Sequence, residues 1–215
     1  KIVKEKNLDS VISFGEHSNF LNILSRSNNK TILTVHSYKS KEESERRDVR
    51  GFINKVLIKI LYNKSDRIIT VSEALKNDLS ANFKIKPSKI THVYNPFDIV
   101  KIRELSEESL PKEYLRNSYG KILVTIGRIC GTKAFWHLIR VLSELKKDFP
   151  EIRLDIVGEA YLPAEIEVKK KLTRLINDYK MASNVIFIDF TPNPYPLLKN
   201  ADVFVSSSIL EGFGN

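Results

Sequence analysis

Two cations stand close together in a short turn bounded by glycine, Gly127-Arg128-Ile129-Cys130-Gly131-Thr132-Lys133, directly after the apolar run ILVTI. A guanidinium offers phosphate oxygens a planar fork of donors, and a nearby ammonium adds a compact point charge, so the pair can hold a diphosphate. A second turn, Gly158-Glu159, closes the run RLDIV; its glycine lets the backbone come close to a ligand. The last residues, Glu211-Gly212-Phe213-Gly214-Asn215, follow a third apolar run, ADVFV. Glycines there let main-chain N–H groups approach an anion, and a helix starting next adds a favourable dipole. The Glu211 carboxylate can accept from two hydroxyls, as a group gripping a sugar does. His36 follows the run TILTV, and Asn95 follows ITHVY. His17, His92 and His137 read as structural or surface groups, and Trp136 as packing.

These positions all end strand-like segments, and the pattern around them is the alternation of βαβ units. In the first part, strands are expected at 10–14, 31–36, 67–71 and 90–94, and helices at about 17–26, 50–63 and 73–82. In the second, strands are expected at 121–126, 153–157, 185–189 and 202–206, with helices at 136–148, 164–180 and 194–199. Residues 99–120, rich in charge with one Pro and a terminal Gly, read as a linker. The expected domains are therefore 1–98, a linker at 99–120, and 121–215. Two doubly wound α/β halves should bind ligands at the carboxyl ends of their strands, in a cleft between them.

Composition narrows the class. The 215 residues carry 35 Lys and Arg against 26 Asp and Glu, a formal net charge of +9, which favours anionic partners. No apolar run approaches the length of a spanning helix, and the opening KIVKEKNLDS lacks the core of a signal peptide. A single cysteine, Cys130, fits a reducing compartment, so a cytoplasmic location is expected. The chain begins with Lys1 and stops straight after a glycine turn, so both ends are expected to continue. No Asp-x-Asp pair and no metal-ligand spacing occurs, and no metal is expected.

Taken in order, GRICGTK, IVGEA, NPYPLLKNADVFVSSS and EGFGN resemble the carboxyl-terminal domain of retaining family-4 glycosyltransferases, the "group 1" family with the GT-B fold. DRIITVSEALKNDL and ITHVYNPFD resemble the amino-terminal domain of the same family. The resemblance implies transfer of a sugar, with retention, from a UDP- or GDP-linked donor to an acceptor hydroxyl, in surface polysaccharide or glycolipid synthesis. It implies catalytic roles for Arg128, Lys133, Glu211 and His36. Donor contacts follow from Gly127, Gly158, Glu159, Gly212, Phe213, Gly214 and Asn215, and an acceptor-side place for Asn95. Glu211 matches the first carboxylate of a Glu-x7-Glu motif, whose second carboxylate falls past Asn215. Where the family usually has glycine, this chain has Ala134 and Ala160, and nothing before Ser10 supplies the family's first strand and glycine-rich loop.

The partners implied are a nucleotide-sugar donor and a glycan or lipid-linked acceptor. The basic, apolar segment 50–63 can lie against an anionic membrane or be an ordinary packed helix with a solvated Lys face. Two other classes stay open: a non-catalytic nucleotide-sugar-binding fragment, and a Rossmann-type oxidoreductase, which lacks the G-x-G-x-x-G turn it needs. Charge alone suggests nucleic acid, but no recognisable module or interleaved aromatics support it.

Overall fold

A computed structural model describes residues 5, 6, 8–45, 48–110, 114 and 120–214. The chain forms two compact units, Lys1–Pro96 with Leu210–Asn215, and Phe97–Ile209.

The first unit holds four parallel strands in sequential order, β1 (Ser10–Phe14), β2 (Lys30–Val35), β3 (Arg67–Thr70) and β4 (Ile90–His92). The helices are α1 (Glu16–Leu24), α2 (Lys39–Glu45), α3 (Val49–Leu61) and α4 (Glu73–Phe83). Leu33, Val35 and Ile68 of the sheet pack with Ile58, Tyr62 and Leu79 in one apolar core. Its polar centre is Asn19, whose side chain accepts from Ser13 Oγ (2.7 Å) and donates to Thr34 O and Tyr62 Oη (3.0 Å each). A buried amide satisfied on all sides pins α1 to two strands and to the end of α3. Asp48 caps α3 through the Gly51 N–H, and Ser72 caps α4 through the Leu75 N–H.

Helix α2 lies where no helix was expected, because KSKEESE has no apolar period. What fixes it is the buried Lys39 ammonium, 2.7 Å from Glu16 and 2.6 Å from Glu42. Glu16, Glu42 and Glu43 bring carboxylates close enough to suit a metal ion, but Lys39 already brings a positive charge to two of them.

The second unit has the strand order β7-β6-β5-β8, with β5 (Ile122–Ile126), β6 (Arg153–Val157), β7 (Val185–Ile188) and β8 (Val203–Phe204), all parallel. Its helices are α5 (Ile99–Ser106), α6 (Trp136–Leu145), α7 (Pro163–Asp178) and α8 (Tyr195–Asn200). Strand alternation feeds two cores. Leu154 and Ile156 pack with Ile139, Leu142 and Leu172 of α6 and α7, whereas Val157, Val124 and Ile188 pack with Leu197 of α8.

Two expected boundaries change. Residues 99–106 of the expected linker are helix α5, capped by Asp98 and held to the α8 side by Asn193 Nδ2 donating to Leu105 O (2.8 Å) and by a Lys199–Glu107 ion pair. Of the rest of that linker, 111–113 and 115–119 lie outside the described residues. The tail from Leu210 groups with the first unit instead of the second.

Candidate functional site

From β5 the second unit's sheet grows one way to β6 and β7, then returns across β5 to β8. The turn after β5 and the segment after β8 therefore meet at a point where strand order reverses, the place where open α/β sheets bind ligands. The two are tied together: Ile209 N–H donates to Thr132 O (2.8 Å), and Ser207 Oγ donates to Lys133 O (2.8 Å). Residues 131–133 form a single 3-10 turn that ends on Ala134 in the left-handed region (φ 50°). Glycine takes that conformation freely and alanine takes it at a cost.

Close backbone packing shapes the β5 and β6 ends. Gly158 has φ 141°, and a β-carbon built on it would stand 2.2 Å from Gly127 O. Gly127 has φ 154°, and its β-carbon would stand 3.0 Å from Lys133 Cε and 3.5 Å from Nζ, so the Lys133 side chain folds back over this glycine. The parallel ladder runs on past the strands through Gly127 N–H to Val157 O, Ile129 N–H to Glu159 O and Gly158 N–H to Ile188 O. Beside these turns lies a pocket of about 420 Å³, walled by Gly127, Arg128, Gly158, Glu159, Tyr161 and Phe190 among others. The structure thus brings Gly127, Arg128, Gly158 and Glu159 to one cavity, with Lys133 against its Gly127 edge.

Arg128 is positioned by a residue with no sequence signal of its own. Glu165, in the first turn of α7, is buried, and its Oε1 lies 3.1 Å from Arg128 Nε. Its Oε2 accepts from the N–H groups of Tyr161 (3.0 Å) and Leu162 (3.2 Å), which closes the α7 N-terminus. Hydrogen bonds from the Tyr161 and Leu162 backbone, with the Arg128 charge, hold the Glu165 carboxyl below the usual range. Such a group stabilises the fold above the ordinary carboxylate range, and that stabilisation is lost as pH falls through the lowered folded value. Thermal unfolding followed through the acid range should therefore fall more steeply for the native chain than for Glu165→Gln; parallel curves would refute the assignment. Nearby, the Tyr161 hydroxyl donates to Glu159, which raises the phenol above its ordinary range.

The remaining expected residues lie in the first unit, at the carboxyl ends of its strands. His36 is exposed just past β2, with Phe14 of β1 stacked at 5.8 Å between ring centroids. The EGFG turn sits on the same edge. A β-carbon on Gly212 would stand 1.9 Å from His36 O, Ser72 Oγ donates to Gly212 O (2.8 Å), and the Phe213 ring lies 5.6 Å from that of Tyr94. These three contacts, absent from any local pattern, explain why the tail groups with the first unit. Glu211 and Asn95 are half-buried, Gly214 is exposed, and Asn215 lies outside the described residues. His17 and His137 are exposed, His92 stacks on Tyr94, and Trp136, the first residue of α6, packs against the core.

Among the described residues, no helix is long and apolar enough to cross a membrane. Residues 106–215 match the family described as Glycosyl transferases group 1, and residues 1–101 match Glycosyltransferase Family 4. An uncharacterized glycosyltransferase of Methanocaldococcus jannaschii is 30% identical over 100% of this chain and 53% of its own length. The N-acetylgalactosamine-N,N'-diacetylbacillosaminyl-diphospho-undecaprenol 4-alpha-N-acetylgalactosaminyltransferase of Campylobacter jejuni is 28% identical over 100% of this chain and 55% of its own. The chain spans about half the length of these curated relatives. Among solved structures, Anabaena HepE in complex with UDP and glucose superposes with a TM-score of 0.79 at 18% identity, over 96% of this chain and 55% of that one. The likeness assigns the GT-B fold, each half built on a four-stranded parallel sheet.

Proposed function

Since the chain belongs to the glycosyl transferases group 1 family, we propose that its parent moves a sugar from a nucleoside-diphosphate donor to an acceptor hydroxyl with retention, and that the second unit holds the donor. The observation that carries this reading is the strand-order reversal at β5 and β8, where two cations, Arg128 and Lys133, flank the mouth of an apolar pocket. The pocket suits a nucleoside: Tyr161 and Phe190 offer ring faces, and Glu159 offers a carboxylate to hydroxyls. The cations at its Gly127 edge suit the diphosphate.

Breaking the glycosidic bond leaves negative charge on the diphosphate, and positive groups fixed beforehand at that place stabilise the transition state more than the bound donor. Glu165 holds Arg128 in its place, and the 3-10 turn holds Lys133. Two charges there let the reading proceed without a metal. In the same reading Glu211 and the EGFG main chain grip the donor, His36 faces the transferred sugar and Asn95 the acceptor. A glycan or lipid-linked acceptor, a UDP- or GDP-linked donor, and a cytoplasmic place at the inner face of a membrane belong with it.

Isothermal titration of the 215-residue chain with UDP and GDP tests the donor site. Saturable binding of one of them, lost in Arg128→Ala, is the expected result. No heat with either nucleotide would refute the site, and binding without turnover in a parallel hydrolysis assay would identify this stretch as a binding fragment.

A further inference from the structure

Helix α3 is built inside out for a solvated helix. Its buried stripe is Gly51, Asn54, Ile58 and Leu61, two of them carrying no apolar side chain. Its outward face carries Val49, Phe52, Ile53, Val56 and Ile60, all exposed, with Val49 at 74% and Phe52 at 70%. At helical spacing these five fall within an arc of roughly 100° opposite the buried stripe. Lys55 and Lys59, one turn apart, run along one flank, and Arg50 lies on the other.

That lysine flank opens on a pocket of about 310 Å³ between α2, α3 and α4, lined by Ser40, Ser44, Lys55, Lys59, Asn82 and Phe83, with Val56 at its apolar edge. Lys55 Nζ donates to Ser44 Oγ (2.8 Å). The nearby acid, Asp78, turns its oxygens to the Ser40 N–H (3.2 Å) and the Asn82 amide (2.8 Å), and it is buried. Among the described residues, neither lysine has an acidic partner. The cavity therefore presents two ammonium groups and hydrogen-bonding side chains beside an exposed apolar stripe.

We infer that α3 docks on an anionic phospholipid bilayer, with Phe52 and its apolar neighbours at the acyl boundary and a headgroup phosphate seated between Lys55 and Lys59. The charge is complementary, and the geometry is that of an interfacial helix: apolar residues face the lipid while lysines at the rim reach the phosphate layer. This gives the peripheral placement proposed above a surface and a ligand, and it uses no residue of the donor site.

The test is sedimentation of the 215-residue chain with phosphatidylcholine vesicles, with and without about one third phosphatidylglycerol. Binding is expected only with the anionic lipid, to weaken with salt, and to fall about 30-fold in Lys55→Gln/Lys59→Gln, the loss of two interfacial lysines. Phe52→Ser/Ile60→Ser, both at exposed positions, should abolish it with an unchanged circular dichroism spectrum. Inorganic phosphate at millimolar excess should not displace the chain if the apolar stripe anchors it; full displacement would reduce the site to one for free phosphate and overturn the docking. Absence of vesicle binding would also overturn it, as would a dimer in size-exclusion chromatography that Phe52→Ser/Ile60→Ser dissociates while vesicle binding is absent. Nucleotide titration on the same samples keeps the two readings separate, since loss of UDP or GDP binding with vesicle binding intact refutes only the donor site.

Discussion

Lys133→Ala in the full-length parent is expected to lower kcat/KM for sugar transfer by about 100- to 1000-fold, the loss usual when one preorganised charge-stabilising group is removed from a transition state. The expectation rests on where this lysine is held. Its backbone N–H closes the 3-10 turn on Cys130 O, its carbonyl accepts from Ser207, and its side chain folds over Gly127 beside the pocket. The main-chain bonds survive truncation to alanine, so the turn itself should stay in place. A loss of rate with an unchanged unfolding midpoint is therefore the signature of a charge acting on substrate. Weaker nucleoside-diphosphate binding should accompany it, because in the proposed site the ammonium also meets the ground-state diphosphate. Transfer at the native rate would show that the donor phosphates lie elsewhere.

The strands were legible because buried parallel strands are short apolar runs, and each expected strand of the sheet appears within one or two residues at its start. Two helices were not. In α2 the stabilising groups are charges, and their partner Glu16 lies far away in sequence. In α5 the apolar Ile99 and Val100 are exposed, and only Ile102, Leu105 and Ser106 are half-buried, too few apolar positions to set a period. The site divides in the same way. Arg128, Lys133, Gly127 and Gly158 were legible as candidates because they follow strand ends, where open α/β sheets bind ligands. Glu165 could not, since an acid in the first turn of a helix looks like an ordinary cap, and only the fold shows that its other oxygen reaches Arg128. Nor could the seat of EGFG on His36, Ser72 and Tyr94, which joins residues more than a hundred positions apart.

Gly158→Ala should destabilise the second unit strongly for the addition of a single methyl. Gly158 holds φ 141°, a region that an L side chain adopts only with strain of about 1–3 kcal/mol. Its new β-carbon would also meet Gly127 O at 2.2 Å and Gly127 C at 2.9 Å. Both are backbone atoms, so no side chain can swing aside; the β5 and β6 turns must part. The ladder bonds from Gly127 N–H to Val157 O and from Gly158 N–H to Ile188 O resist that movement. A loss of about 3 kcal/mol is expected, which for a chain of this size lowers the unfolding midpoint by roughly 6–12 °C. Because the same turns wall the pocket, nucleotide binding should weaken even at temperatures where the variant is folded. Gly131→Ala is the control, since a β-carbon there meets nothing within 4 Å. With its backbone outside the left-handed region, that change should leave stability level or raise it by about 0.4–1 kcal/mol. Should Gly158→Ala instead melt with the native chain and bind nucleotide as well, the close approach of the two turns could not be what shapes the pocket.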